Sequence, residues 1–275
     1  MMMRESKNVR AIQYGVLAII AVLFLLPLIW MLFSSVDGRA IQAIQFPQKP
    51  TLGNFAAILT SPSIMRSFAI GLMVSGCQAL FVVIVSVLAA YPLSRYPLPW
   101  KKSFLLSILF LTSLPMTAVI VPVYEMFLYL KMQNSLIATT IFMISTSLPY
   151  GIWMMKNFMD SVPAELEEAA WMDGSTVWEG VRKVVIPLML PGIFTIAIFT
   201  FTGSWGNFFV PFILITTPEK LPASVTIFQF FGNNGLVDYG QLAAFSVLYT
   251  LPVVVLYVFA QRYMSQGFSF GGAVK

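Results

Sequence analysis

Six stretches of this chain contain no Asp, Glu, Lys or Arg: 11–36, 67–94, 103–124, 132–155, 184–218 and 239–261. Each is at least as long as the roughly 20 residues that carry a helix across the hydrocarbon of a bilayer. None would force lipid to accommodate an ionisable group. The strands of a membrane barrel alternate apolar and polar over about ten residues, whereas these runs are apolar on both parities. The expectation is an all-α polytopic membrane protein with six transmembrane helices near 12–34, 68–94, 103–124, 133–155, 187–215 and 241–261, forming a single membrane domain over 1–275.

Composition points the same way. A soluble domain needs about a quarter of its residues charged to cover its surface, and here charged residues are 10% against 58% hydrophobic. A large soluble core is the alternative, but its charges would be spread along the chain rather than gathered between apolar runs.

Basic residues set the orientation. With six spans both termini share one side, and that side receives Arg4, Lys7, Arg10, Arg95, Lys101, Lys102, Lys156, Arg182, Lys183, Arg262 and Lys275. The other side receives only Arg39, Lys49, Arg66, Lys131 and Lys220. Eleven against five predicts that both termini are cytoplasmic. The net charge of +5 is then a topology signal, and no nucleic-acid partner is implied. The first apolar run is long for a signal peptide and continues through Leu-Pro-Leu-Ile-Trp without a small-residue cleavage site, so a retained first helix is expected. The lone Cys77 lies inside an apolar run and reads as a small packing residue.

Between the spans, 50–65 and 221–237 are uncharged, or nearly so, but short, and rich in Asn, Gly and Pro, as in extramembrane or interfacial segments. RYPLPWKK (95–102) reads as a proline-stiffened turn whose basic flank anchors the membrane surface. The connection 156–183 is of another kind. It holds Asp160, Glu165, Glu167, Glu168, Asp173 and Glu179, six of the chain's eleven acidic residues, and is far longer than a simple link requires.

Within it, PAELEEAAWMD (163–173) predicts a short helix. Proline suits the first helical position, and Glu165 and Glu167 sit where the helix dipole favours negative charge. Leu166, Ala169, Ala170 and Asp173 share one face, with Glu168 beside it. Gly174 can take the positive φ that stops a helix. Thr176 and Glu179 have the spacing of a capping box, so a second helix should start at once and run to about Ile186. Small alanines flanked by carboxylates suit close docking of another surface. An amphipathic helix lying on the membrane is the competing reading, although such helices are usually Lys/Arg-rich with large apolar residues.

Glu168-Ala169-Ala170, then Gly174, then Val184-x-Ile186-Pro187 resembles the cytoplasmic EAA loop of binding-protein-dependent ABC importers, with Val184 for Ile and Ile186 for Leu. The string EEAAWMDGSTVWEGVRKVVIPLMLPG, AYPLSRYPLPWKK (90–102), GSWGNFFVPFILI and the tail GFSFGGAVK are similar to the carbohydrate-uptake branch, specifically its maltose-permease-like second subunit. The resemblance implies the type I ABC importer permease fold in a bacterial plasma (inner) membrane. A second homologous permease subunit would complete a heterodimer. Two copies of an ATP-binding subunit would carry Mg-ATP, and an extracytoplasmic solute-binding protein would deliver a carbohydrate. The coupling loop, 156–186, would engage the ATPase through Glu165, Glu168, Ala169, Ala170, Met172, Asp173 and Gly174. Commonly in the family an Asn directly follows the fifth-helix Trp. Here Gly206 intervenes, which on a continuous helix would turn Asn207 about 100° further round.

Catalysis within this chain is not expected, nor is a cofactor or metal. There is no histidine for a triad or an acid–base pair, and one cysteine makes no zinc set. No Gly-x4-Gly-Lys-Ser/Thr loop is present to bind ATP. A membrane-surface enzyme built on the acidic cluster is one alternative, without a visible base or nucleophile. A self-sufficient carrier or channel is another, and such proteins usually place ionisable groups inside their spans. An uncharged path suits a hydroxyl-rich solute. Ser204, Trp205, Asn207 and Phe208 in the fifth run, and Ser147 and Tyr150 in the fourth, are the candidates for that path. The same residue types also serve ordinary helix packing, and Ser often bonds its own backbone.

Overall fold

The computed structural model describes residues 7–231 and 237–271. Along them run α1 (Lys7–Ser35), α2 (Gly53–Thr60), α3 (Pro62–Arg95), α4 (Lys101–Thr112), α5 (Met116–Tyr129), α6 (Leu136–Asp160), α7 (Glu165–Met172), α8 (Val177–Gly180), α9 (Ile186–Trp205), α10 (Phe209–Leu214), α11 (Ala223–Thr226) and α12 (Tyr239–Gly271). A π-helical turn, Val181–Val185, joins α8 to α9. The described residues contain no strand, only an isolated bridge between Asp37 and Pro50, so the all-α expectation holds. Arg4 and Lys275 from the orientation count, and the last four residues of the GFSFGGAVK tail, lie outside the described residues.

Among the described residues five helices are long and apolar enough to cross a membrane, and a sixth crossing is available from α4 and α5 taken together. That third interval is not one straight helix, as expected over 103–124, but two, bent by 93°. Pro115 explains the break, because it has no N–H to donate and keeps the preceding residue out of the helical region. Pro115 itself is extended, at ψ 129°. The hydroxyls of Thr112 and Ser113 both turn back to the Leu109 carbonyl, at 2.6 and 3.4 Å. The fifth interval, expected as one helix over 187–215, is likewise interrupted. α9 stops at Trp205 and α10 begins at Phe209.

The chain divides into two compact units, Met1–Met65 with Ile227–Leu251, and Arg66–Thr226 with Pro252–Lys275. In the first unit, no residue of the most apolar window of α1 is buried inside the chain; Ile12 is 67% exposed and Phe24 74%. Apolar side chains exposed this way need lipid or another apolar partner around them. The loop after α1 is organised by Asp37, which is buried and accepts the N–H groups of Arg39, Gln48 and Lys49 at 3.0–3.1 Å. Burial raises its pKa, but those three donors and the Arg39 charge outweigh it and hold the carboxyl below its ordinary value. Asn54 of α2 closes the loop by donating to the carbonyls of Ser35 and Asp37.

In the second unit, α3, α6 and α9 pack around one apolar cluster. It comprises Val82 and Ala90 from α3, Met155 and Met159 from α6, Met189 and Ile196 from α9, with Val162 and Val185 from the connection. Helices in lipid gain little from hydrophobicity, so close approach of backbones matters more. Gly151 supplies it: a Cβ there would sit 2.5 Å from Ser86 Oγ and 2.7 Å from Val82 Cγ1. A second cluster joins α3 (Val74), α5 (Ile120, Phe127), α6 (Ala138, Met143) and α10 (Val210, Leu214).

Candidate functional site

Two regions of the second unit carry the polar and charged groups that a transport function needs. The first is the connection between α6 and α9. Helix α7 ends as the sequence predicts, with Gly174 at φ +88° and its N–H on the Trp171 carbonyl at 3.0 Å. The capping box forms too: Thr176 Oγ1 accepts from the Glu179 N–H, and Glu179 Oε2 accepts from the Thr176 N–H. The Thr176 N–H, then the Lys183 ammonium at 3.0 Å, lower the Glu179 pKa to about 2, so this cap stays charged through the neutral range.

α7 has two unlike faces. Glu165, Glu168, Ala169, Met172, Asp173 and Gly174 are exposed, Met172 at 88%, and Ala170 is half-buried. Glu165, Glu168, Ala169 and Met172 recur at the three- and four-residue spacing of one helical side. Glu167 points the other way and is 1% exposed. Its Oε1 accepts from Nε of Arg95 at 2.5 Å, and Arg95 also donates to the Val162 carbonyl at 3.0 Å. Membrane anchoring therefore does not account for Arg95. Its charge is neutralised inside the protein, across a sequence separation that offers no periodic signal to reveal the pair. Among the described residues the acidic groups of this connection do not converge into a metal-holding cluster.

The second region is a cavity of ≈ 630 Å³ bounded by α3, α4, α5, α6 and α9. Four of the six path candidates line it: Ser147, Tyr150, Ser204 and Asn207. Two do not. Trp205 is 3% exposed, its ring between Phe68 and Phe201 at centroid distances of 6.2 and 6.1 Å. Phe208 stacks on Phe212 at 4.8 Å. Asn207 is not on α9 at all, so the extra 100° turn does not arise. It follows the helix end, its Oδ1 accepting the Val210 N–H at 3.1 Å while its carbonyl accepts from Ser224 Oγ.

Residue reasoning missed Gln78 and Thr200. Gln78 is 4% exposed on α3; its Nε2 donates to the Met143 carbonyl at 2.9 Å and to Ser147 Oγ at 2.8 Å. Its Oε1 has no hydrogen-bond partner, and neither do Thr200 Oγ1 nor Ser204 Oγ. All three residues line the cavity. A signal for Gln78 was present, since it is the one amide side chain in 67–94. Both helix breaks also border the cavity: Thr112, Leu114 and Met116 beside the first, Asn207 at the second. Non-helical backbone at membrane depth is stable only where protein or water satisfies it. At the breaks protein groups do part of this: the Ser113 N–H donates to the Phe110 carbonyl and the Asn207 N–H to the Ser204 carbonyl. No lining residue is ionisable in the neutral range.

Comparisons with known proteins agree with one another. The family profile described as "Binding-protein-dependent transport system inner membrane component" matches residues 82–270. The sulfoquinovosyl glycerol transport system permease protein SmoH of Agrobacterium fabrum is 29% identical, over 96% of this chain and 93% of the relative. The trehalose transport system permease protein SugB of Mycobacterium tuberculosis is also 29% identical, over 97% and 98%. In fold, the chain matches a bacterial ABC transporter involved in the import of the acidic polysaccharide alginate, with TM-score 0.81 and 22% identity over 95% of this chain and 99% of the other.

Proposed function

The chain belongs to the family of binding-protein-dependent transport system inner membrane components, and from that premise we propose that it forms half of the translocation path for an uncharged, polyhydroxylated solute of the carbohydrate class. In this family the chain is a transport permease and not an enzyme. The cavity carries the substrate reading. A carbonyl oxygen at Gln78 and hydroxyls at Thr200 and Ser204, buried without partners around one recess, cost desolvation energy for which the fold gains nothing. Sugar hydroxyls both donate and accept, so they match this set in any orientation. The named relatives belong to sulfoquinovosyl glycerol and trehalose transport systems, which supports the carbohydrate class, and a recess of this volume falls within the usual range for small-molecule sites.

The rest of the machine is part of the same proposal. A second homologous permease closes the other half of the path. Two copies of an ATP-binding subunit hold Mg-ATP and seat the exposed face of α7, and an extracytoplasmic binding protein delivers the solute. Both termini then lie on the cytoplasmic side of a bacterial inner membrane, and 156–186 belongs to that side as well.

Removing an unpartnered buried hydroxyl separates the substrate reading from a structural one. Thr200→Val and Ser204→Ala should leave thermal stability unchanged or raised, because no internal hydrogen bond is lost. Solute uptake by the assembled importer in liposomes should nevertheless fall roughly tenfold, the cost of one unmade hydrogen bond. Full uptake in both variants and in Gln78→Leu would place the site elsewhere.

A further inference from the structure

We propose that the Arg95–Glu167 pair is a strut that fixes α7 to the inner end of α3, so that displacement of α7 reaches the cavity through α3 as well as through the chain connections to α6 and α9. The inference rests on the reading of α7 as the ATPase-docking element and adds a load path to it. Glu167 is 1% and Arg95 12% exposed, and at 2.5 Å their contact is a charge-assisted hydrogen bond. Arg95 also holds the Val162 carbonyl at 3.0 Å, directly before α7, so one guanidinium grips both the helix and the chain entering it. A buried pair so placed resists separation, because parting it would leave two uncompensated charges. The neighbouring Ser94 Oγ donates to Asp160 Oδ1 at 2.7 Å, which binds the end of α6 to the same point.

Helix α3 is unbroken from Arg95 back to Gln78, with Pro92 inside its last turn. At 1.5 Å per residue that is about 25 Å of helix from the strut to the cavity wall. The Tyr91 hydroxyl lies beside the Glu167 carboxylate, a second point at which α3 meets α7.

The test uses the complete importer in liposomes, with ATPase subunits and binding protein present. Glu167→Gln keeps shape and removes charge. It should leave the ATPase subunit associated but lower solute moved per ATP hydrolysed at least about tenfold. A purely structural pair would change stability without changing that ratio. Because Glu167→Gln could lose function by misfolding alone, a second variant decides the matter. In a Cys77→Ser background, Arg95→Cys with Glu167→Cys should transport poorly until a bismaleimide bridges the two positions, and then recover. Wild-type coupling in Glu167→Gln, or a bridged protein that remains inactive, would overturn the strut. Continued ATPase association in an Ala169→Lys importer would instead remove the docking reading itself.

Discussion

At Trp205 the side chain expected in the path is buried in packing and does not line the cavity. Its ring fills the space over Gly71, where a Cβ would come within 3.0 Å of it, and lies between Phe68 and Phe201. Trp205→Ala should therefore lower the unfolding temperature in detergent. The loss should be roughly 2–3 kcal/mol, below the soluble range because lipid is the reference solvent here. Trp205→Phe should recover most of it, and substrate affinity of the folded fraction should not change. A stable Trp205→Ala protein with lost uptake would return the residue to the path. Ser204 and Asn207, beside it, were legible as polar groups in an apolar run. Which of Ser204, Trp205 and Asn207 line the cavity was not, because the helix ends between them and helical spacing no longer applies.

Elements were legible where a local rule decided them. The Gly174 turn, the Thr176–Glu179 capping box and the short helix 165–172 each follow from a few neighbouring residues. The two breaks at 113–115 and 206–208 were not anticipated, because counting uncharged residues measures length and says nothing of direction. Pro115 was the available signal for the first. Two substitutions test α7 as an element. Ala169→Lys puts a long charged chain on the exposed face and should weaken docking of the ATPase subunit by 1–3 kcal/mol, about the cost of overpacking an interface. Gly174→Val, strained at φ +88°, should misdirect the following turn and reduce uptake with similar severity. Pull-down of the ATPase subunit together with uptake reads both; normal values in both would remove α7 from the coupling path.

Across the whole molecule, family and the all-helical fold class were the most legible features, since a run of 20 uncharged residues and the spacing of one motif each survive errors of detail. What remained hidden depends on pairs distant in sequence, such as Arg95 with Glu167 and Gln78 with Ser147. One consequence of the packing around α3, α6 and α9 is electrical. Along all three helices the polar-lined recess gives way, toward α7, to the Val82, Met155, Val185, Met189 and Ile196 cluster, every member of which is apolar. Solvent filling that recess would thin the low-dielectric barrier and leave the few turns of the cluster to carry most of this chain's share of insulation against ion leak. Met155→Ser with Val82→Ser should raise the passive proton and potassium permeability of sealed vesicles holding the assembled importer, even without ATP or solute. Paired Leu substitutions should leave them tight. A dye reporting membrane potential distinguishes the two, and equal leak in both would show that the insulation lies in other parts of the assembly.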